Sequence, residues 1–166
     1  MQRNIEKRFG HKEVNGLINI YVDADASPVK SEAIRVAKRY GLKVYFVSNK
    51  KMRIPEYQLA EKIVVNDHMD AADDWIVEHI TENDIVVSAD IPLASRCIKK
   101  GARVLDHNGR VLTEESIGDA LSHRDIMTFL RDTGTMAGWS PPYHKRDRSR
   151  FLQRLDDLIQ AIRRGK

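Results

Sequence analysis

The chain has 166 residues, of which 42% are hydrophobic and 31% charged, with a formal net charge of +4, values typical of one soluble domain with a sizeable core. Its one cysteine excludes an internal disulfide and a cysteine-based metal cluster, and no apolar run approaches the roughly 20 residues of a membrane span. We therefore expect a cytoplasmic protein without membrane association, whose mild basicity permits a polyanionic partner without requiring one.

The first two thirds of the chain alternate short apolar strands with helices. We expect residues 1–16 to be an N-terminal extension or a cloning remnant, followed by a single domain over residues 17–166. After a first strand at Leu17–Val22, Ser27 is a good N-cap and Pro28 suits the first position of a helix that ends near Tyr40. The elements that follow are predicted as strand Lys43–Ser48, basic loop Asn49–Tyr57, strand Lys62–Val65, helix Asp70–Ile80, strand Asp84–Ser88, helix Pro92–Lys100 and strand Arg103–Leu105. This order predicts an α/β fold with a mainly parallel sheet of four or five strands, the first strand central and helices on both faces.

The C-terminal third has a different pattern. Two short helices are predicted at Glu114–Leu121 and Arg124–Arg131, and a Gly/Pro-rich loop at Thr133–Tyr143. The segment Asp147–Arg164 is a clear amphipathic helix, and its apolar residues fall on one side. They are Phe151, Leu152, Leu155, Leu158, Ile159 and Ile162. This helix is predicted as a C-terminal extension that packs on the domain.

Aspartates follow several predicted strands and open the helix before the fourth strand. They are Asp23, Asp25, Asp70, Asp73, Asp74, Asp90 and Asp106. In doubly wound sheets, sites form at the carboxyl ends of the strands, and converging carboxylates repel one another. Mg²⁺ or Mn²⁺, which prefers carboxylate and water oxygens, would relieve that repulsion and suit a phosphate substrate. We therefore predict a metal site; the structural alternative for any single aspartate is a helix cap or a first-turn charge.

The motifs "VDADASPV", "DAAD", "SADIPLA" and "RDRSRF" resemble the YaiI/YqxD family, largely uncharacterised bacterial proteins related to PIN-like nuclease domains. The resemblance covers about residues 18–160. It implies a three-layer PIN-like fold in which acids gather around Mg²⁺ or Mn²⁺ to cut RNA or DNA. By motif, Asp23 and Asp90 are the expected catalytic acids, and one acid of residues 70–74 is the central helical ligand. The family usually reads "DADACP"; Ser27 replaces that cysteine here, so a cysteine nucleophile is not essential.

Basic residues in two segments are candidates for contacts with nucleic acid, with RNA the expected partner. Lys50, Lys51 and Arg53 lie in the loop after the second strand, on the edge where the acids are expected, and Arg148 lies in a basic run near the last helix. Such side chains contact phosphates, which position a strand, although a solvated loop explains them as well. Ser27 is expected to cap its helix or to donate a hydrogen bond to a phosphate.

Three functions follow from these patterns. The first is a Mg²⁺- or Mn²⁺-dependent nuclease acting on RNA, and the second is a catalytically inactive nucleic-acid-binding PIN-like module. The third is a haloacid-dehalogenase-like phosphatase, in which Asp23 would be the nucleophile and Asp25 the general acid/base. The order of motifs disfavours the phosphatase, because the acidic group at residues 70–74 precedes "VVSAD". The sequence sets no oligomeric state.

Overall fold

The computed structural model describes residues 18–25, 27–119 and 144–165, which form a central sheet with helices on both faces. The strands are β1 (Asn19–Asp23), β2 (Lys43–Ser48), β3 (Ala60–Val64), β4 (Ile85–Val87), β5 (Arg103–Leu105) and β6 (Val111–Leu112). The helices are α1 (Lys30–Tyr40), α2 (Ala71–His79), α3 (Ile91–Lys99) and α4 (Lys145–Arg163), and residues 114–119 are also helical. Within these ranges no helix has both the length and the apolar character needed to cross a membrane.

The six strands lie in the order β3-β2-β1-β4-β5-β6, so β1 is inside the sheet as predicted. Every neighbouring pair is parallel except β5 with β6. The predicted α/β class and mainly parallel sheet are confirmed. Because β1 is bordered by β2 and β4, the residues that follow these three strands emerge side by side at the carboxyl edge.

The sheet is buried between two helical layers. On one face α1 and α4 cover Ile20 and Val22 of β1 together with Phe46 of β2, all fully buried. On the other face α2 and α3 pack against alternate strand residues, including Tyr21 and Val86. The apolar stripe predicted for the last helix is confirmed, since its residues belong to the first of these clusters, with Leu152 half-buried at its margin.

Asp84, the first residue of the strand predicted at Asp84–Ser88, ties β1 to β4. Its side chain is fully buried. One carboxylate oxygen accepts a hydrogen bond from the Asn19 backbone N–H at 3.0 Å, and the other accepts from the Thr81 N–H at 2.9 Å and hydroxyl at 3.1 Å. A buried carboxylate with several donors fixes the amino end of the sheet, opposite the edge where the other aspartates lie.

The predicted start of the first helix is wrong. Helix α1 begins at Lys30 with Val29 at the N-cap, so Ser27 does not cap it and Pro28 lies outside it. The Ser27 hydroxyl instead accepts from the Val29 N–H at 3.3 Å. Serine readily forms such a local turn, which here satisfies the backbone before the helix begins.

Several other boundaries differ from prediction. Strand β3 begins at Ala60 rather than Lys62, because it is an edge strand whose exposed residues mask its apolar pattern. Strand β6 was not predicted; it is only two residues long and follows a turn at Gly109. Helix α4 begins before Asp147, which forms a capping box with His144. The predicted extension over 1–16, the helix Arg124–Arg131 and the loop Thr133–Tyr143 lie outside the described residues.

Candidate functional site

A cleft of about 380 Å³ opens at the carboxyl edge of the sheet, between the ends of β1 and β4 and the start of α2. Hereafter it is called the acid cleft, because the acids that line it are Asp23, Asp25, Asp67, Asp70, Asp73 and Asp90. Among the described residues that line the cleft there is no lysine or arginine. Negative charge is therefore concentrated in one place on a chain whose net charge is +4.

Each aspartate of the first motif is held by a serine from a different neighbouring strand. The Ser88 hydroxyl, just after β4, donates to Asp23 Oδ2 at 3.1 Å. The Ser48 hydroxyl, at the end of β2, donates to Asp25 Oδ1. Both serines are buried, and each hydroxyl also accepts from the backbone N–H two residues further along its own chain segment. The repeated arrangement fixes the orientation of both carboxylates without neutralising either charge.

The carboxylates of the cleft are close enough to shift one another's titration. Burial raises the pKa of Asp23; the Ser88 hydrogen bond partly offsets that rise, and the charges of Asp25 and Asp90 add to it. Burial likewise raises the pKa of Asp73 to about 6, helped by the charges of neighbouring aspartates including Asp90 and Asp23. The two acids are therefore reluctant to ionise together, as expected where carboxylates lie close to one another.

Two acids of the cleft are positioned by helix starts. Asp90 is the N-cap of α3, and its Oδ1 accepts from the Leu93 N–H at 3.0 Å. Asp70 precedes α2 in the left-handed conformation, with a φ of 67°, and its side chain makes no capping bond. Such a conformation is uncommon outside glycine and carries a conformational cost. Capping accounts for one oxygen of Asp90 but does not account for the side chain of Asp70.

Two of the predicted metal ligands do not line the acid cleft. Asp74 is not among the lining residues and forms an ion pair with Arg96 at 2.9 Å. Asp106 Oδ1 accepts from the N–H groups of Asn108 at 2.9 Å and Arg110 at 2.8 Å. These bonds hold the turn between β5 and β6, a local role that aspartate performs well.

The predicted nucleic-acid contacts are more scattered than the acids. Ser27 lines the cleft, whereas Lys50, Lys51 and Arg53 are exposed in the loop after β2 and are not among its lining residues. Arg148 forms an ion pair with Glu32 of α1 at 3.1 Å. Contacts of these residues with nucleic acid stay predictions.

Sequence reasoning missed several residues of the cleft wall. Asp67 lies in the irregular segment before α2, and Asn49 directly follows β2. Asn49 Oδ1 is buried and has no hydrogen-bond partner among the described residues. One signal was available for the serines: β2 continues as "VSN" and β4 as "VSA", so both neighbours of β1 end in the same Val-Ser pair.

The oxygen atoms that line the acid cleft are of the kind that binds Mg²⁺ or Mn²⁺. Carboxylate and amide oxygens predominate, as these hard cations prefer, and Asn49 Oδ1 adds a buried acceptor without a partner. In the described ranges, no group of three or more His, Cys, Asp or Glu side chains is arranged as a ready metal site. Mg²⁺ usually retains several waters and takes only one or two carboxylates with substrate phosphates, so a preformed cage of three protein ligands is not required.

The chain is similar to a widespread group of bacterial proteins. The family model described as "Uncharacterized BCR, YaiI/YqxD family" matches residues 21–161. A UPF0178 protein of Parvibaculum lavamentivorans is 53% identical over 148 residues, covering 89% of this chain and 97% of the relative. A UPF0178 protein of Rhodospirillum centenum is 49% identical over 154 residues, covering 90% of this chain and all of the relative. No solved structure matches the chain significantly.

Proposed function

This chain belongs to the YaiI/YqxD family, which is uncharacterised, and we propose that it is a Mg²⁺- or Mn²⁺-dependent nuclease that hydrolyses phosphodiester bonds of RNA. The observation that carries the proposal is the acid cleft, lined by six aspartates and by no lysine or arginine among the described residues. The relation to PIN-like nucleases, implied by the sequence motifs, agrees with this proposal but is not needed for it.

An anionic substrate explains why such a cleft would need a divalent cation. A phosphodiester approaching several carboxylates would be repelled, and a bound cation reverses that interaction. Asp23, Asp25, Asp73 and Asp90 are the residues that would hold it, because their charges are coupled and no described cation forms an ion pair with any of them. When bound, the cation would activate a water and offset negative charge on the phosphoryl oxygens.

The chain's own residues supply orientation. Ser88 fixes Asp23 and the α3 cap fixes Asp90, and each contact engages one carboxylate oxygen and leaves the other for a ligand. Helices α1 and α3 begin at the same edge, since each follows a strand that ends there. Their N-terminal dipoles favour anions and so also favour a phosphate brought to this edge.

The phosphatase alternative receives no support from the cleft. A phosphatase with Asp23 as its nucleophile would use a nearby lysine to hold the nucleophile and the phosphate, and none lies among the described lining residues. The inactive binding module differs from the nuclease only in chemistry, so an activity assay with metal controls separates the two.

The test is cleavage of an end-labelled RNA of mixed sequence, followed on a denaturing gel in Mg²⁺ or Mn²⁺. The wild-type protein should cut, and EDTA, Asp23→Asn and Asp90→Asn should each abolish cutting. Asp106→Asn is the matched control, because it removes the same charge at a strand end outside the cleft; it should retain activity. Cutting that survives Asp23→Asn, or no cutting of RNA by the wild type in either metal, would refute the proposal.

A further inference from the structure

A second groove, rich in arginine, lies beside the acid cleft. It has a volume of about 400 Å³ and runs between the turn that joins β5 to β6 and the first half of α4. Hereafter it is called the arginine groove, after Arg110, Arg150 and Arg154. The two sites adjoin, since His107 lines the acid cleft and the next residue, Asn108, lines the groove.

The groove is a fixed feature, because its two walls touch through their backbones. Gly109 has a φ of +87° and lies against α4; a Cβ added there would be 2.9 Å from the carbonyl carbon and oxygen of Arg150. Only glycine allows an approach this close. Arg150 and Arg154, four residues apart on α4, therefore face the turn that carries Arg110.

The arginines of the groove have no ionic partner among the residues that the structure describes. In the described part of the chain, none of the three forms an ion pair, whereas Arg148 on the same helix is paired with Glu32. The one acid in the groove, Asp147, accepts from the His144 backbone N–H at 2.9 Å as part of the helix cap. Guanidinium groups that line one groove repel one another, and an anion offsets that repulsion.

We infer that the arginine groove binds the phosphate backbone of a single nucleic-acid strand whose neighbouring phosphate lies in the acid cleft. Guanidinium groups match phosphate oxygens in geometry and form paired hydrogen bonds with them. The choice of nucleic acid as ligand rests on the proposed function. The groove and the cleft adjoin at His107 and Asn108, which favours successive phosphates of one strand over a single isolated phosphate.

The experiment measures binding of a fluorescein-labelled single-stranded RNA of 12 nucleotides by anisotropy, with the full chain in EDTA so that no metal-dependent cutting occurs. Arg150→Gln with Arg154→Gln removes two charges from the groove. The matched control is Arg163→Gln with Arg164→Gln, which removes two charges from the far end of the same helix. For single strands each phosphate contact contributes about 0.7 to the salt slope. The groove variant should therefore bind about 25-fold more weakly near 0.1 M salt, with a slope smaller by about 1.4.

The control variant should bind nearly as the wild type does. Equal losses in both double variants, or an unchanged affinity in the groove variant, would overturn the inference. Displacement of the labelled strand by adenosine monophosphate as readily as by unlabelled 12-nucleotide RNA would mean a site for one phosphate and would also overturn it. Displacement by polyglutamate at equal chain length and concentration would assign the groove to acidic peptides instead.

The experiments distinguish a wrong assignment of the arginine groove from a wrong assignment of nuclease activity. Asp23→Asn should bind the RNA in EDTA at least as tightly as the wild type, because it removes a negative charge near the strand. Normal binding by the groove variant, together with loss of cutting in Asp23→Asn, would refute the groove alone. Weakened binding by the groove variant, with no cutting by the wild type in Mg²⁺ or Mn²⁺, would support the groove and refute the nuclease.

Discussion

Removing one charge from the acid cleft should stabilise the metal-free protein. The pKa of Asp73 is raised to about 6, mainly by burial and then by the charges of neighbouring aspartates. A rise of about two pH units corresponds to about 3 kcal/mol of unfavourable ionisation at neutral pH. Because Asp73 is partly exposed to solvent, screening reduces this figure, and we expect Asp73→Asn to raise the free energy of unfolding by about 1–2 kcal/mol at pH 7.5.

The effect of Asp73→Asn on the free energy of unfolding depends on pH. A carboxyl whose folded-state pKa is raised destabilises the fold when it is ionised, so the wild type should gain stability as the pH falls through about 6 toward the ordinary value of 3.8. The advantage of Asp73→Asn should therefore be complete above pH 7 and lost near pH 4. Urea denaturation in EDTA across this range measures it.

Asp74→Asn is the matched control for this experiment. It makes the same substitution on the neighbouring residue of α2, but Asp74 is paired with Arg96 outside the cleft. Both variants lose the favourable interaction of a carboxylate with the helix N-terminus, about 0.3–1 kcal/mol. The difference between them therefore reports the burial and repulsion of the Asp73 carboxylate, together with the exposed Asp74–Arg96 pair, which is worth about 1 kcal/mol at most. If Asp73→Asn is as destabilising as Asp74→Asn at pH 7.5, or if its gain is the same at pH 4, the carboxylates do not repel one another as described.

Two further predictions concern metal binding and the opposite edge of the sheet. Millimolar Mn²⁺ should raise the melting temperature of the wild type, because it binds the folded state. It should leave the melting temperature of Asp23→Asn nearly unchanged. Equal shifts in the melting temperatures of the two proteins would mean that the metal binds outside the acid cleft. Asp84→Ala should lower the free energy of unfolding by about 2–3 kcal/mol, since it removes the buried charged acceptor of the Asn19 and Thr81 backbone N–H groups. A loss below about 1 kcal/mol in urea denaturation would contradict that structural role.

The positions of the acids were predictable from the sequence where the order of the strands alone determines them. Asp23, Asp25 and Asp90 follow parallel strands that are adjacent in the sheet, so their convergence follows from strand order. Asp106 also follows a strand, yet its carboxylate is used by the adjacent turn. Whether a polar side chain forms hydrogen bonds within its own turn depends on backbone geometry, which the hydrophobic pattern of the sequence does not encode.

The basic residues were harder to assign than the acids. The direction of Lys50 and Lys51 depends on an irregular loop, and no periodicity fixes it. The pairing of Arg148 with Glu32 depends on how α4 crosses α1, which short-range sequence patterns cannot give. The arginine groove likewise arises from contact between Gly109 and Arg150, residues far apart in the chain. Long-range packing therefore decides which cations are available to a ligand.

The central claim is that the acid cleft holds a divalent cation, and the anomalous signal of a crystal soaked in Mn²⁺ tests it most directly. We predict a peak inside the cleft, within ligand distance of at least one carboxylate oxygen of Asp23, Asp25, Asp73 or Asp90, and no such peak in crystals of Asp23→Asn soaked in the same way. Well-diffracting wild-type crystals whose cleft shows no anomalous peak at millimolar Mn²⁺ would contradict the account.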